Sequence, residues 1–175
     1  MLRQLFAIAV LPFTVTIVVP VWIARRYGVA FAEGRNLGEL LLQFAGLEVL
    51  CVGLLLFAAS LRRFAGEGRG TLAPWDPPRA LVVRGPYRYV RNPMISGVVF
   101  VLFGEAMMLR SVPHAGWALA FLVINLVFIP LFEEPGLEAR FGEPYREYVR
   151  KVPRILPRLR PWKPDAPADA DRSPG

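Results

Sequence analysis

Arg84-Gly85-Pro86-Tyr87-Arg88-Tyr89-Val90-Arg91-Asn92-Pro93 gathers guanidiniums and phenols into one short segment, and Glu133-Glu134 sets two carboxylates side by side after the next two apolar stretches. Guanidiniums bind carboxylate or phosphate through paired N–H donors, and carboxylates accept from ammonium or hydroxyl groups. Each segment lies where an apolar run meets polar sequence, so the two could close on one polar ligand at a membrane surface while lipid delivers an apolar partner. On a continuing helix, adjacent glutamates diverge by about 100° and cannot both face one neighbour. Pro135 predicts that the helix ends or bends here, turning one carboxylate inward and leaving the other to solvent or to the arginines of the preceding loop. Carboxylates at a helix C-terminus oppose the macrodipole, so this placement asks for a compensating ligand or arginine.

The elements that must position these groups are membrane helices. The chain is 54% hydrophobic, and its apolar runs approach the roughly 20 residues needed to cross a bilayer. They cover Leu5 to Ala24, Leu37 to Leu61, Met94 to Leu109 and Val112 to Phe132, with only Arg110 and Ser111 between the last two, which predicts a tight hairpin. The first run exceeds a signal-peptide core, and Trp22-Ile23-Ala24 is a poor cleavage site. The expected fold is all-α and polytopic, with about four transmembrane helices. A C-terminal interfacial amphipathic helix follows, on which Leu137, Phe141, Tyr145, Tyr148 and Val149 share an apolar face. Gly142 and Pro144 also allow two short helices there. The organisation reads as a transmembrane hairpin over 1–61, a loop over 62–93, a second hairpin and C-terminal region over 94–160, and a Pro-, Ala- and Asp-rich disordered tail over 161–175.

Of the 21 Lys and Arg residues, seven fall between Arg62 and Arg91 and nine between Arg140 and Arg172, which puts both segments in the cytoplasm by the positive-inside rule. Arg25 and Arg26 then lie outside, against that rule. The net charge of +7 flanks membrane spans and belongs to no nucleic-acid module, so anionic headgroups account for it. The single Cys51 and single His114 exclude a disulfide framework, and no metal site is expected. Gly66-Glu67-Gly68-Arg69-Gly70 has no preceding strand and no Gly-Lys-Ser/Thr, so it reads as a plain loop. Leu81-Val82-Val83 suits a short extended stretch.

Two carboxylates lie at bilayer depth, where insertion costs about 2.5–3.5 kcal/mol. Glu105 is expected near the outer end of its helix, reaching water or Arg110, and Glu48 is expected to pair with another helix or face a cavity. Gly97 and Gly104 share a helix face and permit close backbone approach.

The order and spacing of Gly85 to Pro93, the helical hairpin, Glu133-Glu134, Phe141-Gly142-Glu143-Pro144-Tyr145-Arg146-Glu147-Tyr148 and Val152-Pro153-Arg154 resemble the isoprenylcysteine carboxyl methyltransferase family and its phospholipid methyltransferase relatives. The match covers about residues 80 to 160. The resemblance implies a membrane enzyme holding S-adenosylmethionine in a cytoplasmic pocket and acting on a lipophilic substrate by carboxyl O-methylation, and the Arg-rich composition points to a bacterial inner membrane. The same resemblance implies cofactor binding by Arg91, Pro93, Glu133 and Glu134, with Tyr87 and Tyr89 covering the pocket; Arg88, Asn92 and Gly97 join the candidate cofactor residues, and Glu134 and Arg154 are the candidate catalytic residues, with Arg154 or a loop arginine positioning an anionic acceptor. Asn92 stands where the family motif has His, which keeps a hydrogen-bonding group but not proton transfer. The cofactor's carboxylate, ammonium, ribose and sulfonium call for a cation, acidic acceptors and aromatic walls, all present in the matched region. Arg91 or Arg88 suits the carboxylate. The alternatives are N-methylation of a phospholipid amine, a non-catalytic membrane subunit bound to headgroups, and an NADPH-dependent membrane reductase, for which no dinucleotide fingerprint is present.

Overall fold

The computed structural model describes residues 10–32, 34–67, 81 and 83–163, with the side chains of 64–67 left aside. Among these the chain is all-helical with no strand, and three helices are long and apolar enough to span a bilayer: α1 (Val10–Tyr27), α2 (Leu37–Glu67) and α4 (Val112–Phe141). The apolar α3 (Pro93–Leu109) and the short α5 (Glu143–Lys151) complete the set, and the protein is an integral membrane protein. Residues 68–80 of the expected loop, Val82 and the tail beyond Lys163 lie outside the described residues.

α2 runs six residues past the end of its apolar run at Leu61, so part of the expected 62–93 loop is helical. Asn36 starts it by accepting from the Glu39 N–H at 2.9 Å, while the Glu39 carboxylate reaches back to the Arg35 N–H at 2.9 Å. Contact between α2 and α3 is set by glycine. A Cβ on Gly53 would sit 2.7 Å from the Val101 nitrogen and 2.8 Å from the Gly97 oxygen, and one on Gly104 would sit 2.6 Å from Leu50 Cβ. Gly46 and Gly53 on α2 therefore face Gly104 and Gly97 on α3, so the helices run antiparallel with their backbones touching. The role of Gly97 in the structure is this contact.

Arg110, in the left-handed conformation, turns α3 into α4, and Ser111 caps α4 through the His114 N–H. Arg110 pairs with Glu39 and not with Glu105, contrary to the expectation for Glu105, whose Oε2 is buried without a partner among the described residues. Buried His114 joins α4 to α1: its Nε2 lies 3.1 Å from the Pro20 carbonyl and its Nδ1 2.7 Å from Ser111 Oγ. A carbonyl only accepts, so the proton sits on Nε2. Val98, Val99, Leu102, Ala118 and Phe121 form the core of the α3–α4 pair, with Val15 of α1 packed on it.

Two π-helical turns, Thr14–Val18 and Ile129–Glu133, each end two residues before a proline, Pro20 and Pro135. Proline lacks an N–H and its ring clashes with the carbonyl four residues back, so the wider turn lets the helix pass the proline instead of stopping. The Val19 N–H donates to Thr14, and the Val15 carbonyl, whose π partner would be the missing N–H of Pro20, accepts from Trp117 Nε1 at 3.0 Å. At Pro135, where an end or a bend is expected, the same device carries the helix past the proline without ending it; the helix continues to Phe141 and breaks at Gly142, whose φ is 59°. The C-terminal region is therefore two helices.

Gly53→Leu forces the α2 and α3 backbones apart and is expected to cost more than about 2 kcal/mol. Gly116→Ala, with nothing within 4 Å of its Cβ, is expected to be neutral or to stabilise by up to about 1 kcal/mol. Thermal unfolding in detergent micelles separates the two.

Candidate functional site

The segment before α3 is shaped by Gly85, at φ 54°, which opens the 3-10 turn Gly85–Arg88; a Cβ there would meet Arg63 Nε at 2.9 Å. From this turn the backbone runs beside the C-terminal segment. The Arg91 N–H donates to the Pro153 carbonyl at 2.8 Å, Asn92 N–H to Arg154 at 3.3 Å, Arg158 N–H to Tyr89 at 2.9 Å and Trp162 N–H to Arg88 at 2.8 Å. Arg88 Nε returns a bond to the Trp162 carbonyl at 2.7 Å. This clasp brings Arg91 and Arg154 together, and buried Val90, Val152 and Ile155 hold it against the bundle.

Both guanidiniums converge on Glu134. Arg91 Nη1 donates to Glu134 Oε1 at 2.6 Å, and Arg154 grips both oxygens, Nε to Oε1 and Nη2 to Oε2, each at 2.8 Å. The side chains of Arg91, Glu134 and Arg154 are 9%, 16% and 25% exposed, so the pairs are largely withdrawn from water. Two cations and one anion leave the triad with one positive charge. Arg91 Nε is buried with no acceptor among the described residues. The side chain of Tyr145 lies against Arg91, Glu134 and Arg154; burial first, then the Glu134 charge, pushes its phenol up, and the two arginines partly offset this.

The paired glutamates diverge as their spacing requires. Glu134 turns inward to the arginines, and Glu133 is exposed beside exposed Leu131 and Phe132. Arg154 and Glu134, singled out as the catalytic pair, are bound to each other. Pro93 is buried at the first turn of α3, and the Asn92 carbonyl accepts from Ser96 N–H and Oγ, both at 2.9 Å. Tyr89 is exposed, and the Tyr87 carbonyl accepts from Tyr148 Oη at 2.7 Å. Gly97 stands apart on the α2 contact.

The apolar face of α5 is turned onto protein: Tyr145, Tyr148 and Val152 pack with Leu81, Val83, Leu137 and Trp162. Trp162 lies 5.8 Å ring to ring from Tyr148, so the chain still packs on the bundle past the expected tail boundary at Pro161. The residues that sequence reasoning missed are Trp162, whose signal was a lone tryptophan among prolines, and Arg63, placed against Gly85. No group of metal ligands forms among the described residues.

Fold and site together define a helical membrane protein with a charged, partly buried centre at one end of its bundle. The profile described as phospholipid methyltransferase matches residues 41–144, more than half of the chain, which therefore belongs to the phospholipid methyltransferase family. Methanethiol S-methyltransferase 2 of Bradyrhizobium diazoefficiens is 37% identical over 73 residues, covering 42% of this chain and 27% of that protein. The match thus spans about a quarter of the length of that curated relative. No solved structure matches.

Glu134→Ala strands two guanidiniums, one of them nearly buried, and is expected to cost about 3 kcal/mol in chemical denaturation. A smaller alkaline effect arises at Tyr148, whose phenol burial raises above its usual value of 10.0. The folded state holds this proton more tightly than the unfolded chain, so the stabilisation is complete below about pH 10 and is lost as pH rises toward the folded value. Tyr148→Phe is expected to flatten that alkaline decline and to cost about 1 kcal/mol at neutral pH through the lost bond to Tyr87. Denaturation curves from pH 8 to 11 test both effects.

Proposed function

We propose that this protein is an S-adenosylmethionine-dependent membrane methyltransferase whose acceptor is lipophilic and reaches the site from the bilayer. The observation that supports this reading is the convergence of Arg91 and Arg154 on Glu134, at the family-motif positions of a chain that belongs to the phospholipid methyltransferase family. The cofactor's groups fit the residues present. The triad's surplus positive charge and the unmatched Nε of Arg91 suit its carboxylate. Glu133 suits its ammonium or ribose, and the ring of Tyr145 offers an aromatic wall. When bound, the cofactor supplies an electrophilic methyl on its sulfonium.

The chain's own contribution is placement. Glu134 accepts three N–H donors, so its work is to fix the direction of two guanidiniums. Arg154, bidentate on Glu134, positions Arg91 and the clasp. Holding acceptor and donor in line can supply about 7–11 kcal/mol of the barrier reduction. The positive-inside distribution of Arg and Lys supports a cytoplasmic orientation for this end of the bundle.

A carboxylate acceptor needs no base, which favours carboxyl O-methylation of an isoprenoid-like acid. A second reading, S-methylation of an apolar thiol, is favoured by the name of the relative, methanethiol S-methyltransferase 2. A thiol or a phospholipid amine must lose a proton, and in that case Glu133, the carboxylate of the pair that the arginines leave free, serves as the base instead of holding the cofactor's ammonium.

Calorimetric titration of the purified protein with S-adenosylmethionine is expected to show one saturable site, weakened at least about tenfold, or about 1.4 kcal/mol, in Arg91→Ala. Wild-type protein without saturable binding contradicts the proposal. Radiolabelled methyl offered with a long-chain acid, phosphatidylethanolamine or an alkanethiol then identifies the acceptor.

A further inference from the structure

Between the Glu39–Arg110 pair at one end of the bundle and the Arg91–Glu134 pair at the other, two carboxylates lie at membrane depth among the described residues. Glu105 is half-buried, whereas Glu48 is exposed on α2 and makes no hydrogen bond or ion pair among the described residues. Glu48 lies about 16 Å along the helix from Leu37, well inside the span Leu37–Arg63. Gly46 and Gly53 mark the side of α2 that meets α3. Helical geometry puts Leu41, Phe44, Glu48, Cys51 and Leu55 on the opposite side, at alternating spacings of three and four residues, and all five are exposed. That alternation lets one helix pack along a parallel neighbour. Hydrocarbon offers no water to satisfy the carboxyl in the middle of the stripe.

We infer that this stripe is the surface through which two copies of the chain associate in the membrane, with the two Glu48 side chains hydrogen-bonded to each other. Two copies inserted in the same orientation and related by a twofold axis along the membrane normal present parallel α2 helices, so each residue meets its own counterpart at equal depth. A carboxyl that carries its proton is both donor and acceptor, and a pair at equal depth satisfies itself. Any other partner must bring a polar group of its own to that depth. The flanking Leu41, Phe44 and Leu55 gain little over lipid contact, so the polar pair fixes both association and register. This inference stands independently of the methyl-transfer reading.

Cys51 is the chain's only cysteine and lies on the same stripe, three residues from Glu48, so the native protein carries its own reporter. Mild oxidation, or a short bis-maleimide, applied to membranes holding the full chain is expected to give a species of twice the 19.6 kDa monomer mass. The species disappears in Cys51→Ser. Glu48→Leu is expected to lower its yield about tenfold, the scale of a hydrogen bond between membrane helices, with unchanged thermal unfolding of the monomer. Glu48→Gln, whose amide also donates and accepts, retains most of it. Absence of the species, cross-linking to a different protein, a yield indifferent to Glu48→Leu, or equal loss in Glu48→Gln each overturns the inference.

Discussion

The architecture at the polar end of this protein depends on one shared carboxylate. Glu134 sits at the foot of a membrane helix, and its charge is tolerated there because three N–H donors from Arg91 and Arg154 surround it. Desolvating such a pair is costly, and only close, multiply hydrogen-bonded geometry returns that cost. Arg91 lies 43 residues before Glu134 and Arg154 20 residues after it, so the triad ties two distant segments to the last third of α4. Backbone pairing of Arg91 with Pro153 and of Tyr89 with Arg158 extends the same tie. The triad keeps one positive charge at this end of the bundle.

The membrane imposes the second constraint. α3 rises only about 26 Å over its 17 residues, less than the roughly 30 Å of a hydrocarbon core. Close glycine contact with α2 and a tight hairpin into α4 secure this short helix on both sides. Prolines that would stop a helix in water are accommodated by π turns, whose displaced carbonyls find other donors, as Val15 finds Trp117. The turn at Ile129–Glu133 leads directly into Glu134, the glutamate that faces the arginines. A packing device of the membrane span thereby becomes part of the site.

The spans were legible because hydropathy reports the lipid environment directly, and the all-helical fold follows from the need to satisfy backbone groups there. The charged segments around Arg91 and Glu134 were legible because carboxylates at the edge of a membrane span require a counter-charge. Hydropathy marks where a chain leaves lipid, not where a helix stops, so the extension of α2 past Leu61 was hidden. Pro135 reads locally as a terminator, and only the neighbouring helices decide that it widens the turn. The pairing of Arg154 with Glu134, the ordering of Trp162 and the diversion of Arg110 from Glu105 to Glu39 are choices among several available partners. Sequence spacing across a fold does not rank those partners.

A double-mutant cycle between Glu134 and Arg154, read by chemical denaturation, tests the central claim most directly. Glu134→Gln, Arg154→Gln and the double variant are expected to show a coupling energy of about 2 kcal/mol, since removing either partner leaves the other without its counter-charge. Additivity within about 0.5 kcal/mol would mean that the two side chains do not share one partly buried ion pair, and the clasp that assembles the site would have no basis.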